Sequence, residues 1–182
     1  MLPQIFWEID HNILLALQAA RIPLLDAVLS FITSLGDKGF IWIVLTVLLL
    51  CRKDTRKVGI LCALALLGSL LVNNIILKNL VSRMRPFDRY DDLIPLVARP
   101  MDFSFPSGHT GSSFAAAGVM YAKLPRRLGV LAIVFAALIA FSRLYVGVHY
   151  PSDVLAGLAT GLMIAVFVCL AEQKLYRHKR KT

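Results

Sequence analysis

From Val58 to Leu77 the chain runs for 20 residues without a charged side chain, and nothing else in it narrows the possible folds as much. The hydrocarbon layer of a bilayer takes about 20 residues of helix to cross. Inside that layer every backbone polar group must find its partner within the protein. Val154 to Ala171 gives 18 further uncharged residues, and 15 more lie between Arg127 and Arg143. Thr110 to Ala122 adds 13 and can extend back through Pro106. Two shorter segments precede these, Ile22 to Gly36, which carries Asp26, and Gly39 to Cys51. Six spans are predicted, in an all-α polytopic membrane bundle forming a single domain over residues 1–182.

Upstream, Ile5, Phe6, Ile9, Ile13, Leu14 and Leu17 recur at helical spacing, while Glu8, Asp10, Asn12 and Gln18 face elsewhere. That pattern predicts an interfacial helix ending before Pro23. Met1 to Ala20 lacks a leading positive region and is interrupted by acids, so it does not read as a signal peptide. Composition agrees with a membrane protein. The chain is 58% hydrophobic and 17% charged, whereas soluble domains carry about a quarter charged residues. Its net charge of +9 does not point to nucleic acid, because the basic residues sit between apolar segments and in the tail Arg177 to Lys181. Those are the places where topology signals stand. Cys51, Cys62 and Cys169 fall in apolar segments without metal or disulfide spacing and read as buried small hydrophobes.

Six spans put both termini on one side with Arg21, Arg52, Lys53, Arg56, Lys57, Lys123, Arg126, Arg127 and the basic tail. The balance is 13 basic residues against 7, so the positive-inside rule makes that side the cytoplasm. The other side holds the 82–105 connection, in which Arg83, Arg89 and Arg99 alternate with Asp88, Asp91, Asp92 and Asp102. These read as solvated loop charges, with a lipid headgroup contact as the alternative for the three arginines, and Phe87, Leu93, Ile94, Leu96 and Val97 as an interfacial lid or short helix.

Ionisable groups at span ends are costly there and mark function. Lys78 ends the third span, Pro106 to His109 begins the fourth, Arg143 ends the fifth and His149 to Asp153 begins the sixth. Alternating spans put all four on one face. Pro106 suits a first helical turn, after which Ser107, Gly108 and His109 offer free amides at a helix start, an anion site. Asp153, four residues beyond His149, is placed to accept from one ring nitrogen and leave the other as a nucleophile. Lysine, arginines and helix-start amides together call for a phosphate. Asn73, Asn74, Ser69, Ser112 and Ser113 are expected to bond between helices, Gly157-x3-Gly161 to bring two helices close inside the bundle, and His11 and His178 to be solvated.

Lys78-x6-Arg85-Pro86, Pro106-Ser-Gly-His109 and Ser142-Arg143-x5-His149-x3-Asp153 together resemble the three-part signature of the type 2 phosphatidic acid phosphatase superfamily, over roughly residues 78–153. That family includes membrane lipid phosphatases and vanadium haloperoxidases; the apolar spans exclude a soluble haloperoxidase. The resemblance implies that His149 attacks phosphorus, Asp153 orients it, and His109 protonates the leaving oxygen and later activates water. It assigns Lys78, Arg85, Ser107, Gly108 and Arg143 to the phosphoryl oxygens, with no metal and no cofactor. The implied protein is a phosphatase of lipid phosphates in the bacterial inner membrane; with the site on the extracytoplasmic face, as the basic-residue balance puts it, it resembles undecaprenyl diphosphate phosphatases, and undecaprenyl diphosphate is the expected substrate. Phosphatidylglycerophosphate and phosphatidic acid are the alternative substrates, and a non-catalytic lipid-phosphate carrier is the alternative class. Membrane lipids are the expected surroundings, nucleic acid is not an expected partner, and no oligomeric state follows.

Overall fold

The computed structural model describes residues 2–179. Arg180 and Lys181 of the basic tail lie outside them, as do the side chains of Phe6 and His178. Helix α1 (Leu2–Ala19) is followed by α2 (Pro23–Leu35), α3 (Phe40–Cys51) and α4 (Arg56–Ser69), which continues through a π-helical stretch (Leu70–Leu77) into α5 (Lys78–Val81). A short α6 (Pro86–Arg89) stands in the long connection, and α7 (Gly108–Lys123), α8 (Arg126–Tyr145) and α9 (Pro151–Lys179) complete the chain.

All six apolar segments are helical. By length and composition three helices can cross a membrane, namely those of residues 56–89, 126–145 and 151–175, and α2 with α3 makes a fourth as one broken span. The break has a local cause: Lys38 and Gly39 take left-handed φ angles of 51° and 74°, which stop a right-handed helix, and Gly39 does so without strain. The bend across it is 47°, so the chain continues in much the same direction. Its start lies beside Tyr145, whose hydroxyl accepts from Ile22 N and donates to Asp26. Its finish lies at the other end of the bundle, where Leu49 and Leu50 carbonyls accept from Thr55 and Arg56.

The two segments expected as separate spans therefore share one leg, and α1 and the start of α2 lie at the site end. Arg21, expected on the cytoplasmic side, donates to the carbonyls of Ile94 and Tyr145 there. Moving it leaves 12 basic residues against 8 along the sequence, and the sense of the bias is unchanged. Helix α1 lies across the site end: His11 pairs with Asp92 at 3.0 Å and stacks on Tyr90, so it is not solvated, and Gln18 bonds both Asp92 and Ile94.

Helix α7 is the central one, packed on α4, α8 and α9. Gly161 makes the α7–α9 contact possible, since a Cβ there would stand 2.5 Å from the Gly111 carbonyl oxygen. Trp42 is fully buried and donates to Ser113 Oγ at 2.8 Å, one of the expected interhelical bonds. Asn73 instead bonds Ser69 within its own helix. At the end away from the site, Glu172 accepts from Lys123 at 2.8 Å and pairs with Lys57, joining α9, α7 and α4. Cys62 and Cys169 are buried, while Cys51 is exposed at the end of α3.

Overpacking a tight helix contact costs about 1–3 kcal/mol. Gly161→Val is expected to lower the thermal midpoint of the detergent-purified protein by that equivalent. Leu170→Val on the outer face, where Leu170 is 58% exposed, should change it by under about 0.5 kcal/mol. Equal midpoints for the two variants would mean that the α7–α9 contact does not need Gly161.

Candidate active site

Lys78, Arg85, Gly108, His109, Arg143 and His149 all face one cavity of about 810 Å³. Five different elements bring them there: Lys78 from α5, Arg85 from the turn before α6, Gly108 and His109 from the first turn of α7, Arg143 from the last turn of α8, and His149 from the turn before α9. Lys78, Arg85 and Arg143 are only 6%, 3% and 4% exposed. Buried cations need anionic or hydrogen-bonding partners, and the partners identify what the cavity lacks.

Arg85 is the most completely bonded. It donates to Asp102 Oδ1 at 2.6 Å, to the Asp102 carbonyl at 2.8 Å and to the Val148 carbonyl at 2.7 Å. Lys78 pairs with the other Asp102 oxygen. Asp102, read from the sequence as a solvated loop charge, is thus a carboxylate lodged between the two cations of the first motif. Burial raises its pKa, but Lys78 and Arg85 outweigh that and hold it at about 2. Arg143 donates one bond, to Thr33 Oγ1 at 2.6 Å, while its Nε finds no partner among the described residues. A buried guanidinium with an idle donor beside a cavity is suited to an anionic ligand.

The two histidines differ in their surroundings. His149 is 1% exposed, and its Nε2 stands 3.4 Å from Arg85 Nη1. Burial first, then the charges of Arg85, Arg143, Lys78 and His109, hold its ring well below the usual imidazole pKa. The ring is therefore neutral and keeps a lone pair. Asp153, fully buried, places Oδ2 3.5 Å from His149 Nδ1. That separation is an ion-pair distance, and Nδ1 makes no hydrogen bond among the described residues. The Asp153 oxygen is already taken by Ser104 Oγ at 2.5 Å and Tyr150 N at 3.0 Å. His109 has its own carboxylate, Asp37 Oδ1, 2.9 Å from its Nε2.

Ser107 behaves differently from the sequence expectation. It is fully buried behind Gly108 as the N-cap of α7, where its Oγ accepts from Thr110 N at 3.4 Å and Thr110 Oγ1 at 3.0 Å. Pro106 precedes this cap rather than sitting in the first turn. The Ser107 N–H donates to the Asp153 carbonyl at 3.0 Å, so the second and third motifs are joined directly by their backbones.

Four residues at the site escaped the sequence reading. Asp102 and Arg83 looked like loop charges, Thr33 fell in a segment read as a short span, and Asp37 fell in the gap between two such segments. Arg83 donates to Asp153 at 2.6 Å. The other loop arginines are exposed, as expected of loop charges, and also make ring contacts, Arg89 over Trp7 at 4.0 Å and Arg99 over Phe87 at 5.3 Å. Only one of these four had a visible signal, the placement of Arg83 two residues before Arg85.

The model of the PAP2 superfamily matches residues 57–177 of this chain. An undecaprenyl-diphosphatase of Sulfolobus acidocaldarius is 33% identical over 145 residues, which are 80% of this chain and 69% of that protein. Phosphatidylglycerophosphatase B of Bacillus subtilis is 31% identical over 184 residues, covering 94% of this chain and 87% of that one. The crystal structure of a transmembrane PAP2-type phosphatidylglycerolphosphate phosphatase from Bacillus subtilis matches with a TM-score of 0.76 at 31% identity, over 92% of this chain and 86% of that one. The chain belongs to the PAP2 superfamily, and it is a membrane phosphatase.

Proposed function

We propose that the protein hydrolyses a lipid phosphate through a phosphohistidine, and that undecaprenyl diphosphate is its substrate. The observation that carries a lipid substrate is the lining of the cavity. The cavity that holds the cations is also lined by the apolar side chains of Ile43, Leu67 and Leu70, which are 50%, 62% and 50% exposed. An apolar wall beside the cations suits a substrate whose phosphate reaches Lys78, Arg85 and Arg143 while its tail lies along that wall. The undecaprenyl-diphosphatase likeness favours the prenyl diphosphate; phosphatidylglycerophosphate is the second reading, supported by the longer match to the Bacillus enzyme.

In this reading His149 Nε2, on the side away from Asp153, attacks phosphorus. An N–P bond forms as the bond from phosphorus to the leaving oxygen breaks, and His109 gives that oxygen its proton. Water then attacks the phosphohistidine, His109 takes a proton from it, and the N–P bond breaks to release orthophosphate. Lys78, Arg85, Arg143 and the Gly108 amide stabilise the charge on the phosphoryl oxygens, the main demand of phosphoryl transfer. These cations supply the charge without a metal. The substrate phosphate takes the place held by Asp102 in the free protein. The site faces the extracytoplasmic side of a bacterial inner membrane, because most basic residues stand at the opposite end.

Phosphate release by purified protein, against a panel of prenyl diphosphates and glycerolipid phosphates, tests the reading. Wild type is expected to prefer undecaprenyl diphosphate and to remain active after thorough EDTA treatment, and His149→Ala to be inactive though folded. Activity in His149→Ala would sink the mechanism.

Removal of the competing carboxylate is expected to tighten anion binding. Asp102→Asn should lower the orthophosphate concentration for half-inhibition about three- to tenfold, the scale of one partly exposed ion pair at about 1 kcal/mol. With the Asp102 pKa at about 2, the effect should be constant from about pH 5 to 8. Unchanged inhibition would mean that Asp102 does not compete for the cradle.

Topology can be read separately. A cysteine placed at Asp91, in a variant lacking Cys51, Cys62 and Cys169, should react with a membrane-impermeant thiol reagent on intact cells. Labelling only after the membrane is opened would turn the site to the cytoplasm and favour a glycerolipid phosphate.

A further inference from the structure

Arg83 stands within the six-residue gap between Lys78 and Arg85, and none of the phosphate-binding or proton-transfer roles falls to it. Its terminal nitrogens are nevertheless both engaged by named partners. Nη1 donates to Asp153 Oδ1 at 2.6 Å and to Ser152 Oγ at 2.7 Å, and Nη2 donates to Asp10 Oδ2 at 2.8 Å. The guanidinium lies in the corner of two aromatic rings packed edge-to-face, 4.2 Å from Trp7 and 4.0 Å from Tyr150. Only 12% of the side chain is exposed.

The two oxygens of Asp153 are divided between separate tasks. Oδ1 is held by Arg83, while Oδ2 accepts from Ser104 and Tyr150 and faces His149 Nδ1. Without Arg83, one oxygen of a fully buried carboxylate would lose its donor, and the group could turn or take up a proton. Asp10 holds the arginine from its far side and also accepts from Ser152 N at 3.1 Å, so α1 is fixed to the first turn of α9 at the same place.

We propose that Arg83 is a positioning residue for phosphoryl transfer, held by Asp10 and the Trp7 and Tyr150 rings of the site end, and that it keeps Asp153 ionised and fixed against His149. The inference rests on His149 being the nucleophile. It also makes α1, which lies outside the matched residues 57–177, part of the machinery. Lysine cannot replace Arg83 fully, because a single ammonium lacks the planar fork that reaches two carboxylates while also contacting both rings.

The test is steady-state phosphate release in detergent, as a function of pH, from the substrate that wild type prefers in the panel. For Arg83→Gln, kcat is expected to fall about 100-fold, the usual cost of a small misplacement, with KM within about threefold of wild type. The acid limb of kcat/KM should also move. Activity requires neutral His149 with ionised Asp153, and losing a nearby positive charge eases protonation of the pair whichever member takes the proton. The limb should therefore shift upward by roughly half to one pH unit. Asp10→Asn removes a negative charge from the same chain and should shift it downward with a smaller loss of kcat. Arg83→Lys should restore the limb but only part of kcat.

The other charges around the pair remain in every variant: Lys78 from α5, Arg85 before α6, Arg143 from α8, His109 from α7 and Asp102 beyond Arg85. A merely structural role would lower activity evenly and leave the limb in place, and that result, or wild-type kcat in Arg83→Gln, overturns the inference. Should Arg83→Gln fail to fold, wild-type kcat with an unmoved limb in Asp10→Asn overturns it instead. Activity in His149→Ala would mean that the nucleophile assignment had failed, whereas an inactive His149→Ala beside an unaffected Arg83→Gln rejects the role of Arg83 alone.

Discussion

Positive charge gathered where water is scarce is the constraint around which this molecule is arranged. Lys78, Arg85 and Arg143 converge with almost no exposure, and Arg83 stands behind them. Like charges a few ångströms apart repel by several kcal/mol even at an effective dielectric constant of about 20. Asp102 offsets Lys78 and Arg85, while Asp153 and Asp10 offset Arg83. Each carboxylate comes from a different element, the long connection, α9 and α1, so neutralising the cations also ties the site end together. The opposite end depends on apolar helix packing and on Glu172 between two lysines. Among the described residues Arg143 bonds only a threonine hydroxyl, and this remaining deficit of negative charge is what a phosphate would fill.

The parts of this arrangement legible in the sequence are those set within a turn or two of helix. Lys78 and Arg85, the Ser107 to His109 helix start, and His149 with Asp153 are local patterns, and alternation of apolar helices was enough to predict that they meet. The bend between α2 and α3 was not legible as a continuous leg, because the Gly36 to Gly39 stretch reads equally as a loop between two short spans. The error carried Arg21 to the wrong end of the bundle. Asp102, Asp37 and Thr33 were hidden for a different reason. Their partners are 24, 72 and 110 residues away in sequence, and no periodicity reports pairings at that range.

The reacting groups also show why burial and charge have to act together. A neutral imidazole is needed for attack, and burial with neighbouring cations keeps His149 neutral. In the proposed reaction those same cations attract the phosphate, and one set of charges serves both the nucleophile and the substrate. It works only if Asp153 stays ionised beside the ring, since a nucleophile that becomes positive during attack needs a fixed counter-charge. Asp153 lies on the far side of His149 from the phosphate-binding cations, so its negative charge supports the ring without standing in the path of the substrate.

That division bears on specificity. The motifs that read a phosphate lie within residues 57–177, the stretch matched to the family, and relatives that share it carry names with different lipid phosphates. A phosphate cradle common to all of them cannot tell one lipid from another. Residues outside the matched stretch nevertheless reach the site: Asp10 and Trp7 from α1, Thr33 from α2 and Asp37 from the bend before α3. Ile43 of α3 lines the same cavity. Differences in tail and headgroup are to be sought where a substrate would depart from the cradle, along a wall to which α2 and α3 contribute beside Leu67 and Leu70. The first third of the chain, which added little to recognising the family, therefore supplies part of the wall along which its choice of lipid has to be sought.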